Sequence, residues 1–331
     1  MPSAIFLEIP TKPNAPISYT FYPPSHTQGE PKPYQDLIVF VNGLGLPASF
    51  WNQSISILQS SLGNCPPILT FDRYGQGLTT ARDPLDDGHG YGHDFMDAAN
   101  DLHSIILVIA KAKLGLSEED IESGKLHLMI TAASVGVPIT RLYAQTHPGL
   151  ISSLLFLNSN IANVNYSDFL PSPSSPNFDP SLVTAPDCSL DHYIEARTNL
   201  AHMFDLHVKN AEAMDRRNGP RLLPYADKPT LVGADGDGKG PWLTVVGHDP
   251  LGEDGDAEEF KYEVYEPVSA YLVPSLLIWD DGVLYNEGLT KITDVGRCGS
   301  VKIAKGCGHF IQMDDAAFVA GEIKALLERS S

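Results

Sequence analysis

The segment Ile130-Thr131-Ala132-Ala133-Ser134-Val135-Gly136-Val137-Pro138 sets one hydroxyl among small and apolar residues, between an apolar run and the start of a helical pattern. It approximates Gly-x-Ser-x-Gly, with Ala132 in place of the first glycine and Gly136 as the second. A tight strand-to-helix turn of this kind strains the serine backbone and lifts Oγ clear of a sheet, where it can attack an acyl carbon. Small flanking residues let strand and helix approach closely. The plainer reading of Ser134 is a helix N-cap, a common place for serine. The charge that develops on an attacked carbonyl needs fixed N–H donors. The residue after the serine supplies one, the Val135 N–H, and a glycine-rich loop after another strand supplies the second. Val39-Phe40-Val41-Asn42-Gly43-Leu44-Gly45-Leu46 is such a loop and nominates the Leu44 N–H. Taken alone, its glycines mean only a turn.

Such groups need a sheet to carry them. Residues 37–41, 68–71, 126–130, 154–157, 275–279 and, more weakly, 300–303 form short apolar runs, the pattern of strands buried on both faces of a parallel sheet. Residues 5–9 and 17–22 alternate apolar and polar, which suggests an antiparallel pair. Apolar spacing of three and four over 50–62, 97–113, 138–146 and 316–327 predicts helices between the strands. The expected fold class is therefore α/β, with a mainly parallel, doubly wound sheet. From 161 to 270 the rhythm breaks into Pro-rich loops, a predicted helix over 190–217 and a Gly/Asp-rich stretch. That is too long for an ordinary loop, and it reads as an inserted lid over the ligand crevice, between core segments 1–160 and 271–331. Most of its apolar side chains, Tyr193, Leu222 and Trp242 among them, are expected to form the lid's own core, and a minority to line a pocket.

At 331 residues the chain can bury a core large enough to need no disulfide or structural metal. The 22 Lys+Arg against 41 Asp+Glu give a net charge of −19, which repels phosphate backbones and anionic lipid heads. Nucleic acid and a membrane surface are thereby disfavoured as partners, and a neutral small molecule is the expected substrate, with a homodimer as the candidate assembly. Part of the excess is local: eight acidic residues lie between Asp235 and Glu259, against Lys239. Cys65, Cys188, Cys298 and Cys307 form no Cys-x-x-Cys pair and are read as free thiols. With no signal-peptide pattern and no apolar run of spanning length, a cytoplasmic location is expected. His89 and His93, and the segment Gly247-His248-Asp249-Pro250, are read as solvated loops, with no metal site.

Phe71-Asp72-Arg73-Tyr74-Gly75-Gln76-Gly77-Leu78-Thr79, taken with the Asn42 loop and the Ser134 turn, resembles the α/β-hydrolase superfamily. Its members commonly carry His-Gly-x-Gly after one strand and Asp-x-x-Gly-x-Gly-x-Ser after the next; here Asn42 stands for the His, and Thr79 is near the usual Ser. Asp72 and Arg73 are expected to fix the loop rather than to react. Ala304-Lys305-Gly306-Cys307-Gly308-His309 looks like the superfamily's histidine loop. The resemblance implies that Ser134 is the nucleophile and His309 the general base and acid, a role suited to an imidazole that titrates near neutrality. It places the orienting acid after the strand that follows the insertion, which nominates Asp281, with Asp280 next. An earlier slot, Asn158-Ser159-Asn160, holds no carboxylate; an Asn there could orient an imidazole but not stabilise its cation.

The implied reaction is hydrolysis of a neutral, apolar ester or lactone, natural-product or polyketide lactones included, through an acyl-enzyme and without cofactor or metal. A serine at this position argues against the haloalkane and epoxide branches, which use Asp. Two rivals are thioester hydrolysis or lactonisation on the same triad, and a ligand-binding protein with little turnover.

Overall fold

The computed structural model describes residues 5–26, 36–86, 88–165, 172–176, 178–180, 189–249 and 284–330. Within them the apolar runs assemble into one eight-stranded sheet. Its strands are β1 (Ile5–Leu7), β2 (Ile17–Tyr22), β3 (Asp36–Val41), β4 (Ile68–Phe71), β5 (His127–Ala133), β6 (Ile151–Leu157), β7 (Trp242–His248) and β8 (Lys302–Ala304). The order across the sheet is β1-β2-β4-β3-β5-β6-β7-β8. β2 runs antiparallel to β1 and β4, and every other pairing is parallel.

Among the described residues the longer helices are α1 (Asn52–Ser61), α2 (Phe95–Ile109), α3 (Gly136–Thr146), α4 (Leu190–Phe204) and α5 (Ala316–Ser330). Successive side chains of a strand point to opposite faces, and β3 shows how this divides the core. Val39 and Val41 pack with Leu102 and Ile106 of α2 and Leu142 of α3, whereas Ile38 and Phe40 pack with Leu58 of α1 and Ile323 of α5. Each such aliphatic side chain, fully buried, contributes about 1.5–3 kcal/mol. Helix α2 begins earlier than its apolar spacing suggests because Asp94 caps it, accepting the Met96 and Asp97 N–H groups while the Asp97 carboxylate takes the Asp94 N–H in return.

Two expectations about the insertion change. The helix predicted over 190–217 stops at Phe204, and Met214–Asp215 are extended, paired with His93–Asp94. More consequentially, Trp242–His248 is not part of a lid but a strand of the main sheet, hydrogen-bonded between β6 and β8. Its run Leu243-Thr244-Val245-Val246 is buried throughout, as a central parallel strand requires. The segment between β6 and β7 is therefore 158–241. The run at 275–279, expected to be the seventh strand, lies outside the described residues.

The strand registers bring several C-terminal ends level. Val41 faces Ala132, Ala133 faces Leu157, Leu157 faces Val246, and His248 faces Ala304. Residues just beyond these positions, on β3, β5, β6, β7 and β8, share one edge, where open α/β sheets bind ligands.

Candidate active site

Ser134 follows β5 directly and has φ +52°, the left-handed region that a non-glycine residue seldom occupies. The chain around it enforces this. Ser134 N–H donates to the Leu157 carbonyl and its own carbonyl accepts the Asn160 N–H, both at 3.1 Å. Gly136 lets α3 start against β3: a Cβ there would meet the Val41 carbonyl oxygen at 2.4 Å. The predicted elbow is thus formed, and strain of this kind, about 1–3 kcal/mol, is held by the surrounding packing.

The loop after β3 is fixed by the residues that the sequence assigned to that task. Arg73 donates to the Asn42 carbonyl at 2.7 Å and to the Gly43 carbonyl at 2.8 Å. Asp72 accepts the Ala48 N–H at 2.6 Å and the Leu78 N–H at 2.8 Å. Asn42, standing where the family has His, accepts Trp51 Nε1 at 2.6 Å and donates to the Phe71 carbonyl at 2.9 Å, so its amide is structural. Thr79 accepts the Ser18 N–H at 2.8 Å and donates to the Asp72 carbonyl at 2.7 Å. Among the described residues neither the Leu44 nor the Val135 N–H donates a hydrogen bond.

His309 is half-buried in the loop after β8. Gly306, at φ +69°, makes the turn. Its N–H donates to Asp249 at 3.1 Å and the Gly308 N–H to Asp314 at 2.9 Å. Phe310 beside it meets Phe50 of the loop following β3 edge to face, centroids 6.5 Å apart. Nδ1 of His309 lies 2.6 Å from the Asn158 side-chain nitrogen. The oxygen of the same amide lies 3.1 Å from Nδ1 of His248. Asn158 adopts φ +40° and its N–H donates to the Val246 carbonyl at 2.8 Å. Burial pushes both imidazoles down to about 4; for His309 the neighbouring His248 adds to the effect, and for His248 the Asp249 carboxylate opposes it. Among the described residues Ser134 Oγ and His309 Nε2 make no hydrogen bond.

The structure therefore brings Ser134, Val135, Leu44, Asn158 and His309 to one edge of the sheet. Asp280 and Asp281 lie outside the described residues. The reading of Gly247-His248-Asp249 as a solvated loop is corrected: His248 ends β7, and Asp249 is buried, its N–H bonded to the Cys307 carbonyl at 2.9 Å. The signal was the β-branched run ahead of it, masked by its Gly/Asp-rich flanks. His93 is also not solvated but buried beside Asp83, at 3.5 Å. Cys65, Cys298 and Cys307 are free thiols, each pushed up to about 11 by burial. Among the described residues no group of three or more His, Cys, Asp or Glu could hold a metal ion, and no helix is long and apolar enough to cross a membrane.

No curated protein sequence matches the chain. Among solved structures, a soluble variant of monoglyceride lipase from Saccharomyces cerevisiae in complex with a substrate analog is 15% identical, with a TM-score of 0.56 over 100% of this chain and 96% of the other. An esterase from Thermogutta terrifontis is 12% identical, with a TM-score of 0.51 over 99% of each chain. A mutant epoxide hydrolase from Vigna radiata is 13% identical, with a TM-score of 0.53 over 99% of this chain and 98% of the other. At such identities the likeness is one of fold. The model described as the alpha/beta hydrolase family matches residues 38–322, most of the chain, and with the sheet order and the elbow at Ser134 it makes this protein a member of that family.

Proposed function

We propose that the chain is a serine hydrolase that opens a neutral, apolar ester or lactone through an acyl-enzyme. One observation carries the reading: Ser134 is held at φ +52° between β5 and α3, in the strained turn that exposes a nucleophile. The Val135 and Leu44 N–H groups, which bond to nothing else among the described residues, are the donors for the oxyanion. His309 takes the serine proton as the carbonyl is attacked, returns it to the leaving group, and then activates water for deacylation. Nucleophile–base hydrogen bonds are often unformed without substrate and close in the complex. Serine in the elbow, where epoxide hydrolases place Asp, supports ester rather than epoxide chemistry.

The group behind His309 on this reading is Asn158. An amide has one donating and one accepting end, so the two rings it bridges must hold opposite Nδ1 protonation states. General-base action at Nε2 requires the His309 proton on Nδ1, and hence the amide oxygen facing that ring. A half-turn of the Asn158 amide provides this and presents its NH2 to His248.

Fluorophosphonate labelling followed by peptide mass spectrometry tests the proposal. Modification at Ser134 and hydrolysis of a short-chain aryl ester are expected from the wild type, and neither from a folded Ser134→Ala variant. Undiminished hydrolysis by Ser134→Ala overturns the assignment. A second reading, a binding protein with little turnover, draws on the neutral group beside His309; labelling at Ser134 without turnover of esters, lactones or thioesters would favour it.

A further inference from the structure

Glu212 belongs to the segment between β6 and β7, yet its carboxylate is buried against the loop after β3. Oε1 accepts the Gly45 N–H at 2.5 Å, and both Gln76 Nε2 and Arg73 Nη2 at 3.1 Å. Oε2 accepts Arg73 Nε at 2.8 Å. The same Arg73 and Gln76 groups reach the loop's carbonyls: Nη1 donates to Asn42, and both Nη2 and Gln76 Nε2 donate to Gly43 at 2.8 Å. In a planar trans peptide the C=O and the following N–H point opposite ways. Holding the Gly43 oxygen on the Arg73 side therefore turns the Leu44 N–H to the other side. Holding the Gly45 N–H on Glu212 removes it as a competing donor. This peptide pair sits at the nucleophile, since a Cβ on Gly43 would lie 3.2 Å from Ser134 Cβ.

We propose that Glu212 is a positioning residue for the oxyanion donor Leu44: its buried carboxylate, through Arg73, Gln76 and the Gly45 N–H, sets the peptide orientations of residues 42–46. The segment between β6 and β7 then acts on the rate of acyl transfer. The inference rests on the reading of Ser134 as an acyl-transfer nucleophile. Removing the carboxylate leaves the Arg73 guanidinium buried without its counter-charge and the Gly45 N–H without its acceptor, and it frees the Arg73 and Gln76 groups that hold the Gly43 carbonyl.

The test compares wild type, Glu212→Ala and Glu212→Gln in hydrolysis of a p-nitrophenyl ester, with amide hydrogen exchange of residues 42–46 as a second readout. Glu212→Ala should lower kcat by about a hundredfold, as loss of one oxyanion donor does, with KM little changed. Glu212→Gln keeps an acceptor for the Gly45 N–H but not the charge on Arg73, and should lose less. Exchange at 42–46 should quicken in both. Lys12→Met, which breaks buried ion pairs outside the site, should lower the melting temperature without lowering kcat and so separates rate loss from general destabilisation. Wild-type kcat in a folded Glu212→Ala protein, or lost kcat with unchanged exchange at 42–46, overturns the proposal. If that variant does not fold, Glu212→Gln decides it: unchanged kcat and exchange reject the role. Should the wild type neither hydrolyse esters nor label at Ser134, the functional reading has failed, and the exchange data alone decide whether Glu212 fixes the loop.

Discussion

Nδ1 of His309 lies 2.6 Å from the side-chain amide of Asn158, the residue that leaves β6 where its own N–H is bonded to β7. Among the described residues a neutral side chain thus faces Nδ1. Burial pushes His309 down to about 4, so the ring is uncharged at neutral pH.

The pH dependence of the reaction follows from that shift. A base must be unprotonated to act, and a lowered pKa moves its loss of activity to lower pH. kcat/KM should stay level from neutral pH down to about 5.5 and fall as pH drops through about 4. An acid limb centred near 6.5, the ordinary imidazole value, would contradict the environment found for His309.

Substitution of Asn158 separates orientation from charge. Asn158→Ala removes the partner of Nδ1 and should reduce kcat by about ten- to a hundredfold, with Ser134 still open to slow phosphonylation. Asn158→Asp places an anion against the ring, should raise the acid limb by about one pH unit or more, and should increase kcat at pH 8. If both variants kept the wild-type pH profile and kcat, another residue would be holding His309.

The elbow at Ser134, the Leu44 loop and the histidine loop were legible because each is a short contiguous stretch whose glycines and small residues serve one local turn. Asp72 and Arg73 were legible for the same reason. The seventh strand was not, because Trp242–His248 is flanked by Asp237, Gly238 and Gly240 on one side and Asp249 on the other, the composition of a solvated loop. Its burial comes from β6 and β8, which no local pattern reports. Asn158 was visible as an alternative without a carboxylate, but its second contact, His248, depends on that strand. Glu212 carries no motif; only the fold brings it to Arg73, 139 positions away.

Gly136 offers a test of the elbow's packing. A methyl group there meets the Val41 and Asn42 carbonyl oxygens at 2.4 and 2.9 Å. Gly136→Ala should therefore cost about 1–3 kcal/mol of stability and, by shifting the start of the loop that bears Leu44, lower kcat as well. Denaturant unfolding and ester kinetics check both; wild-type values in each would mean that β3 yields without consequence.

Away from the site, Lys12 Nζ lies 2.6 Å from Asp83 and 2.7 Å from Asp101, all three residues buried. Burial pushes Asp101 up to about 6 despite the lysine. Lys12→Met leaves two carboxylates without a counter-charge and should destabilise the fold by about 3–5 kcal/mol at pH 8. Because protonation relieves a buried anion, the penalty should shrink at pH 5.5. A melting-temperature loss identical at the two pH values would show that the lysine is not balancing these charges.

The buried carboxylate that the segment between β6 and β7 sends into the loop after β3 also bears on how this protein could be re-engineered. If Glu212 positions Leu44 as proposed, residues 158–241 are not an interchangeable part. A corresponding segment grafted from another family member without this carboxylate would leave Arg73 without its anion, and the chimera is expected to lose turnover whatever pocket it brings. Retaining Glu212, or supplying a carboxylate at the same place, is the condition under which selectivity could be exchanged while the chemistry is kept.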